Sequence, residues 1–340
     1  MEIVVPSGLD GVIVTETAIS DIDGEQGRLS YRGHAIEEVV AEFRWDDVVR
    51  FLVEPERLSG HAPAHEDAPM ALLVDTLLAE AEGRDLADGE VLLQYVLDVP
   101  ERFARRLGPG YAGKLPDELP RAGRYLAELR GELPSALHAA ALDAYWVMAA
   151  EHSLNASTFA VRIAASTGAR LPLALAAGVA VLSGPLHGGA PTDVLDLLEE
   201  AASYPGTPAA LIQARLDAGI RIPGFGHRVY RTEDPRARAL RRRFLELSEA
   251  DARAARAREL ETAALAALHK RHPERVLATN VEFYAAVVLD ALGIPRNWCP
   301  PTFAAGRLAG WTAHYVEQRA EGRLIRPLAR YRPRSPAASG

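Results

Sequence analysis

Ala136-Leu137-His138-Ala139-Ala140-Ala141-Leu142-Asp143-Ala144-Tyr145-Trp146-Val147-Met148-Ala149-Ala150 contains neither glycine nor proline and is rich in alanine. Alanine has the highest intrinsic helix propensity, so this run predicts a helix. A second such run, Ser157 to Thr167, follows and stops at Gly168. Outward from this pair the pattern persists over Pro235 to Leu247, Asp251 to His269 and Phe283 to Leu292, the last closed by Gly293 and Pro295. Upstream, Asp67-Ala68-Pro69 reads as a cap and first-turn proline. It precedes Met70, Leu73, Leu77 and Leu78 on one helix face, with Gly83 as the stop. Strand signals are confined to the start: Gly11-Val12-Ile13-Val14-Thr15, Ala18-Ile19, an Asp23-Gly24 turn and Leu29-Ser30-Tyr31. The prediction is a mainly α protein with a small N-terminal β element. In Arg84 to Pro134, prolines 100, 109, 116, 120 and 134 are expected to cut helices short. The Pro- and Arg-rich stretch from Arg323 to Gly340 is expected to extend as an arm.

The 340 residues exceed one ordinary core, which predicts two domains or a large one carrying a smaller. A hydrophobic share of 48% with 25% charged residues is globular composition and argues against extensive disorder. The net charge of −8 carries no general nucleic-acid footprint. A single cysteine, Cys299, excludes an intramolecular disulfide and a cysteine-based zinc site, as expected of a reducing compartment. The longest apolar run, Leu171 to Leu182, is short of the roughly 20 residues of a membrane helix. The opening MEIVVPSGLDG has no signal-peptide character. A cytoplasmic protein acting on small molecules, with neither nucleic-acid nor membrane partners, is therefore expected.

Three stretches place polar residues among glycines or at helix starts. Ser183-Gly184-Pro185-Leu186-His187-Gly188-Gly189-Ala190-Pro191 holds a histidine in a glycine-rich turn, with Pro191 suited to begin a helix. The positive end of a helix dipole favours a neutral imidazole, which can hydrogen-bond a carbonyl oxygen turning into an enolate. Taken singly, the stretch reads equally as a tight turn with an incidental histidine. Ile222-Pro223-Gly224-Phe225-Gly226-His227-Arg228-Val229-Tyr230-Arg231, continuing through Asp234-Pro235-Arg236, sets His227 among three arginines. In an acidic chain that cluster fits an anionic ligand, the alternative being a solvated basic turn. Thr279-Asn280-Val281-Glu282-Phe283-Tyr284-Ala285-Ala286 puts one carboxylate at the start of an apolar helix, where a dipole partner is the plain alternative. Two further candidates are His152, at a helix-to-helix junction, and Arg307, in the apolar context Phe303 to Trp311, where it either meets an anion or snorkels to water.

Together these stretches resemble the citrate synthase family. Gly8-Leu9-Asp10-Gly11 through Asp21-Ile22-Asp23-Gly24 and Tyr31-Arg32-Gly33 is similar to the family's opening signature. Glu151-His152 to Asn155-Ala156-Ser157-Thr158, Gly184 to Gly189, Gly224 to Tyr230 and Asn280-Val281-Glu282-Phe283 follow in the family's order. The likeness is strong over the first forty residues and from about Ala136 to Tyr331, and poor from about Arg44 to Pro134.

The resemblance implies a two-domain helical homodimer, with 1–190 and 285–340 as the large domain and 191–284 as a small domain that closes over the cleft. It implies condensation of acetyl-CoA with oxaloacetate to citrate and CoA. It makes His187 the group that polarises the acetyl carbonyl, His227 the acid at the oxaloacetate keto oxygen, and Glu282 the base. His152, His227, Arg236 and Arg307 would hold oxaloacetate, with Arg326 supplied by the other subunit. Pro223, Gly224, Phe225, Gly226 and Arg231 would lie along coenzyme A. No cofactor or metal is implied, acetyl-CoA being a substrate. The usual base is Asp where this chain has Glu282. Pro191, Ala149 and Ala68 likewise stand where the family usually has Asn, His and the histidine of a His-Pro-Met motif. Such a set resembles a divergent second bacterial form of citrate synthase. The alternatives are a 2-methylcitrate synthase using propionyl-CoA and a non-catalytic, ligand-sensing dimer that keeps the cleft.

Overall fold

A computed structural model describes residues 17, 19–53, 72–184, 187, 190–226, 235–248, 252–274 and 277–325. Three short strands open it, β1 (Ser20–Asp23), β2 (Arg28–Tyr31) and β3 (His34–Ala35), in an antiparallel sheet of that order. Helices follow: α1 (Ile36–Glu42), α2 (Trp45–Leu52), α3 (Leu72–Glu80), α4 (Gly89–Leu107), α5 (Arg121–Arg130), α6 (Ala136–Ala149) and α7 (Ala156–Ser166). After them come α8 (Leu171–Leu182), α9 (Ala190–Ser203), α10 (Pro208–Asp217), α11 (Pro235–Ser248), α12 (Ala252–Arg271), α13 (Val281–Ala291) and α14 (Cys299–Glu321). The mainly α prediction with an N-terminal β element holds.

Helix starts are legible as chemistry. Asp88, Ser135, Asn155, Thr207 and Asn280 each accept a backbone N–H of the first turn of α4, α6, α7, α10 and α13. In α2, Trp45, Val48, Val49 and Leu52 recur at helical spacing and all four are buried. α14 differs: from Ala304 to Gln318 every residue is buried, so it runs through the core with α2, α4, α6, α7 and α8 around it. Gly306 and Gly310 allow close approach there, since a Cβ on Gly306 would stand 2.7 Å from the Trp146 ring and one on Gly310 2.2 Å from the Ala150 carbonyl oxygen.

Two expectations are corrected. The turn between β1 and β2 spans Gly24 to Gly27, because Asp23 pairs with Arg28 rather than turning. Asp23 Oδ1 accepts the Glu25 and Gln26 N–H groups, and Gly27 takes φ 61°, a conformation glycine adopts without strain. Pro100 does not cut a helix short but lies inside α4, buried with Val96, Val99 and Phe103. Apolar burial on that scale offsets one missing backbone hydrogen bond. The expected strand Gly11–Thr15, the cap at Asp67-Ala68-Pro69 and the arm beyond residue 325 lie outside the described residues.

Candidate active site

The junction between α6 and α7 carries Glu151 and His152. It is pinned from three sides. Arg307 Nε donates to the Ala149 carbonyl, Gly310 N–H donates to Ala150 O (3.1 Å), and the Tyr31 hydroxyl donates to Glu151 O. All three anchors come from buried residues of α14 and β2, so the junction is a fixed platform and His152 sits half-buried on it. The Glu151 side chain is fully buried. Ser20 Oγ donates to its Oε1 (3.1 Å), and His314 Nε2 stands 3.2 Å from Oε2 without an aligned hydrogen bond. Burial pushes the Glu151 carboxyl up, but His314, Arg307 and Ser20 more than offset this and hold it below the usual range.

Arg307 does not snorkel. It is 2% exposed, with its guanidinium 4.8 Å over the Phe303 ring. Burial lowers its pKa, the charge of Glu151 opposes that, and Arg236 adds to the lowering. Arg236, on the first turn of α11, is 6% exposed and lies within the same field, so two buried guanidinium groups share one neighbourhood with Glu151. Two buried like charges in one neighbourhood suit an anion with more than one negative charge.

His187 reaches the same neighbourhood from the turn after α8. Burial, and after it the Arg307 charge, lower its pKa, so the imidazole is neutral near pH 7. Its Nε2 is 2.8 Å from Ser157 Oγ, which in turn lies 2.9 Å from Asn155 Oδ1. The Ser157 hydroxyl has one proton and two acceptors in reach. In this structure it is donated to Asn155 Oδ1; turned to His187 Nε2 instead, it would leave the ring proton on Nδ1, a donor suited to a developing enolate oxygen. Ser157 and Asn155 belong to the motif around His152, yet only the folded loop reveals that they orient His187.

A second cluster surrounds Glu282, on the first turn of α13. Gly224 to Gly226 runs antiparallel to Ala278 to Asn280: Phe225 bridges Thr279, Gly226 N–H donates to Ala278 O (2.8 Å), and Asn280 N–H donates to Gly224 O (2.9 Å). Gly224 takes φ 86°, and a Cβ there would stand 2.9 Å from that of Phe283. The glycines are thus explained by close pairing with the segment bearing Glu282, whatever else they contact. Pro223 is half-buried beside the buried Gly224 and Phe225. His227, Arg231 and Arg326 lie outside the described residues.

The structure therefore brings His187, Arg236 and Arg307 together, and joins Gly224–Gly226 to the segment bearing Glu282. Tyr31, Glu151, Ser157, Asn280 and His314 are contributors that sequence reading did not single out. Their signal lay in burial, which the place of a polar side chain in a motif does not disclose.

A family model described as citrate synthase, C-terminal domain, matches residues 8–76 and 93–328. The putative citrate synthase 2 of Mycobacterium tuberculosis is 40% identical over 356 aligned residues, covering 97% of this chain and 94% of that protein. The crystal structure of citrate synthase from Thermotoga maritima superposes with a TM-score of 0.76 at 27% identity, covering 97% of this chain and 96% of that one. At 23% identity the Thermoplasma acidophilum citrate synthase, in ternary complex with carboxymethyl coenzyme A and oxaloacetate, shares the fold with a TM-score of 0.77, over 97% of this chain and 96% of that one. Two buried arginines in one neighbourhood, a neutral histidine beside Arg307, a carboxylate on a paired helix start, and a match along nearly the whole chain converge on one conclusion: this protein belongs to the citrate synthase family of acyltransferases.

Proposed function

We propose that the protein condenses acetyl-CoA with oxaloacetate, with water consumed and citrate and free CoA released. The observation that carries this reading is the pair of buried arginines, Arg236 and Arg307, beside a histidine kept neutral by burial and by one of those arginines. A dicarboxylate satisfies two guanidinium groups at once, and a neutral imidazole serves an enol better than an imidazolium does. The ligands of the Thermoplasma acidophilum complex, carboxymethyl coenzyme A and oxaloacetate, are of the two classes this reading requires.

In this mechanism oxaloacetate seats first on His152, Arg236 and Arg307, with Arg326 of a second copy completing the set. Acyl-CoA then lies along Pro223 to Gly226 and Arg231. Glu282 takes a proton from the acetyl methyl group while His187 donates a hydrogen bond to the thioester oxygen, giving an enolate held by that bond. The enolate carbon attacks the keto carbon as His227 protonates the keto oxygen. Water then cleaves the thioester of the product, freeing CoA. The step draws on no metal or cofactor. Residues 191–284 act as the small domain that closes over the cleft, and residues 1–190 with 285–340 as the large one. Homodimerisation is supported by rows of apolar residues that the single chain leaves only half-buried, Leu173, Ala177 and Val181 on α8 and Phe159 and Ile163 on α7.

The test is release of CoA measured with oxaloacetate and either acetyl-CoA or propionyl-CoA, in the wild type and in Glu282→Gln. Citrate formation from acetyl-CoA that Glu282→Gln abolishes supports the reading. Faster turnover of propionyl-CoA assigns 2-methylcitrate synthesis instead. Oxaloacetate binding without turnover of either acyl-CoA makes the protein a sensor.

A further inference from the structure

Asn280 is 2% exposed and uses both ends of its side-chain amide. Its Oδ1 accepts the Glu282 N–H (3.0 Å) and the Phe283 N–H (3.3 Å), capping α13. Its Nδ2 donates to Glu282 Oε2 (2.9 Å) and to the Gly226 carbonyl (2.9 Å). Rotating the amide by half a turn would set two donors against two N–H groups and an acceptor against two oxygens, so its orientation is fixed. One amide thus holds both the Glu282 carboxylate and the Gly226 carbonyl.

The turn is clamped from behind as well. Glu261, buried on α12, accepts the hydroxyl protons of Thr279 (2.7 Å) and Tyr284, residues that flank Asn280 and Glu282. With both neighbours tied to one carboxylate, Asn280 cannot drift without breaking several buried hydrogen bonds.

We propose that Asn280 is a positioning residue that sets the aim and proton affinity of Glu282 and ties it to the Gly224–Gly226 segment. The proposal rests on reading Glu282 as the base. A charge-assisted hydrogen bond from Nδ2 stabilises the carboxylate form and fixes one of its two oxygens, which sets the direction in which the other meets a substrate methyl group. Glu has one more rotatable bond than Asp, so a longer base needs such a tether more than a shorter one.

Asn280→Asp and Asn280→Ser separate this role from capping, because Asp and Ser both cap helices well but neither can donate as the amide does. Asp also brings a like charge to Glu282. Rates are referred to folded protein, quantified by circular dichroism and thermal unfolding. The expected result is near-wild-type unfolding for both variants, with kcat lowered ~10–100-fold. The acid limb of the kcat–pH profile should move up by about one unit in Asn280→Asp and by less in Asn280→Ser. The KM for oxaloacetate should be unchanged. If both variants keep kcat within ~3-fold and the wild-type acid limb, the proposal is wrong. A fall in stability with an unmoved acid limb assigns Asn280 to capping alone and overturns it equally. Glu282→Gln run in parallel tells the two readings apart. If it keeps turnover, the base assignment fails and the proposal with it. If it is inactive while the Asn280 variants are normal, only the proposal fails.

Discussion

Gly310→Ala is the most direct probe of the platform under His152. The Gly310 N–H donates to Ala150 O at 3.1 Å, and an added Cβ would lie 2.2 Å from that oxygen and 2.5 Å from Glu151 Oε2. A backbone oxygen cannot swing aside, so α14 and the junction must part by about 0.8 Å to reach even a tight contact. Overpacking of this kind costs about 1–3 kcal/mol, and the strained hydrogen bond about 1 kcal/mol more. Alanine returns about 1 kcal/mol through its helix propensity, so the net loss is about 1–3 kcal/mol, or roughly 1–4 °C in Tm for a chain of this size. The functional loss should be larger. Ala149 and Ala150 anchor the loop bearing His152, and a displacement near 1 Å in a positioning group costs up to ~100-fold. We expect kcat/KM for oxaloacetate to fall ~10–100-fold at saturating acetyl-CoA, mostly through KM. Gly293→Ala is the control: Gly293 takes φ 69°, follows the far end of α13 from Glu282, and its added methyl meets nothing within 4 Å. It should lose stability with little change in kcat/KM. A Gly310→Ala enzyme with unaltered kcat/KM for oxaloacetate would refute the platform argument.

Asp143 is buried against the start of α2, accepting the Trp45 N–H at 3.1 Å, and burial pushes its carboxyl up to about 7. A raised folded-state pKa makes its stabilising effect complete below about pH 4 and lost as the pH climbs through 7. The variant Asp143→Asn keeps the acceptor without the charge, so its urea midpoint should vary less between about pH 5 and 8 and exceed the wild type at the upper end; equal slopes would sink this account. Arg307→Gln should raise the pKa of His187 by removing the nearby charge, and an imidazole NMR titration that shows no upward move would contradict the assigned proximity. His187→Ala and His227→Ala should each lower kcat at least ~100-fold with the fold retained, and near-wild-type turnover in either would remove that residue from the mechanism. Mixed Arg326→Ala and Arg307→Ala proteins should regain part of the activity in hybrid dimers; none regained, with subunit exchange verified, would count against a site shared between copies.

The helices were readable because their causes are local. The alanine runs of α6 and α7 act over one or two turns, and the structure has helices where they predict them. Pro100 misled because the apolar surface that keeps α4 whole around it is contributed by distant helices. The same division holds at the site. His187, Arg307 and Glu282 stood out as polar groups in glycine-rich or apolar settings. Glu151 and His314 did not, since their partnership spans more than 160 residues of chain and exists only once α14 crosses the α6–α7 junction. Ala149 illustrates the limit from the other side: its side chain carries no chemistry, and its role is a carbonyl offered to Arg307.

The antiparallel pairing of Gly224–Gly226 with Ala278–Asn280 has a consequence for timing. Two stretches more than fifty residues apart are laced into one small rigid unit, so neither can advance or retreat alone. For a condensing enzyme the costly error is to ionise or hydrolyse a thioester before its partner substrate has arrived. Under the proposed mechanism Gly224–Gly226 would lie along acyl-CoA and Glu282 would take the proton, so a half-assembled cleft would lack both at once. The chemistry would then be gated by one movement rather than by two that must coincide, and idle acyl-CoA would stay intact.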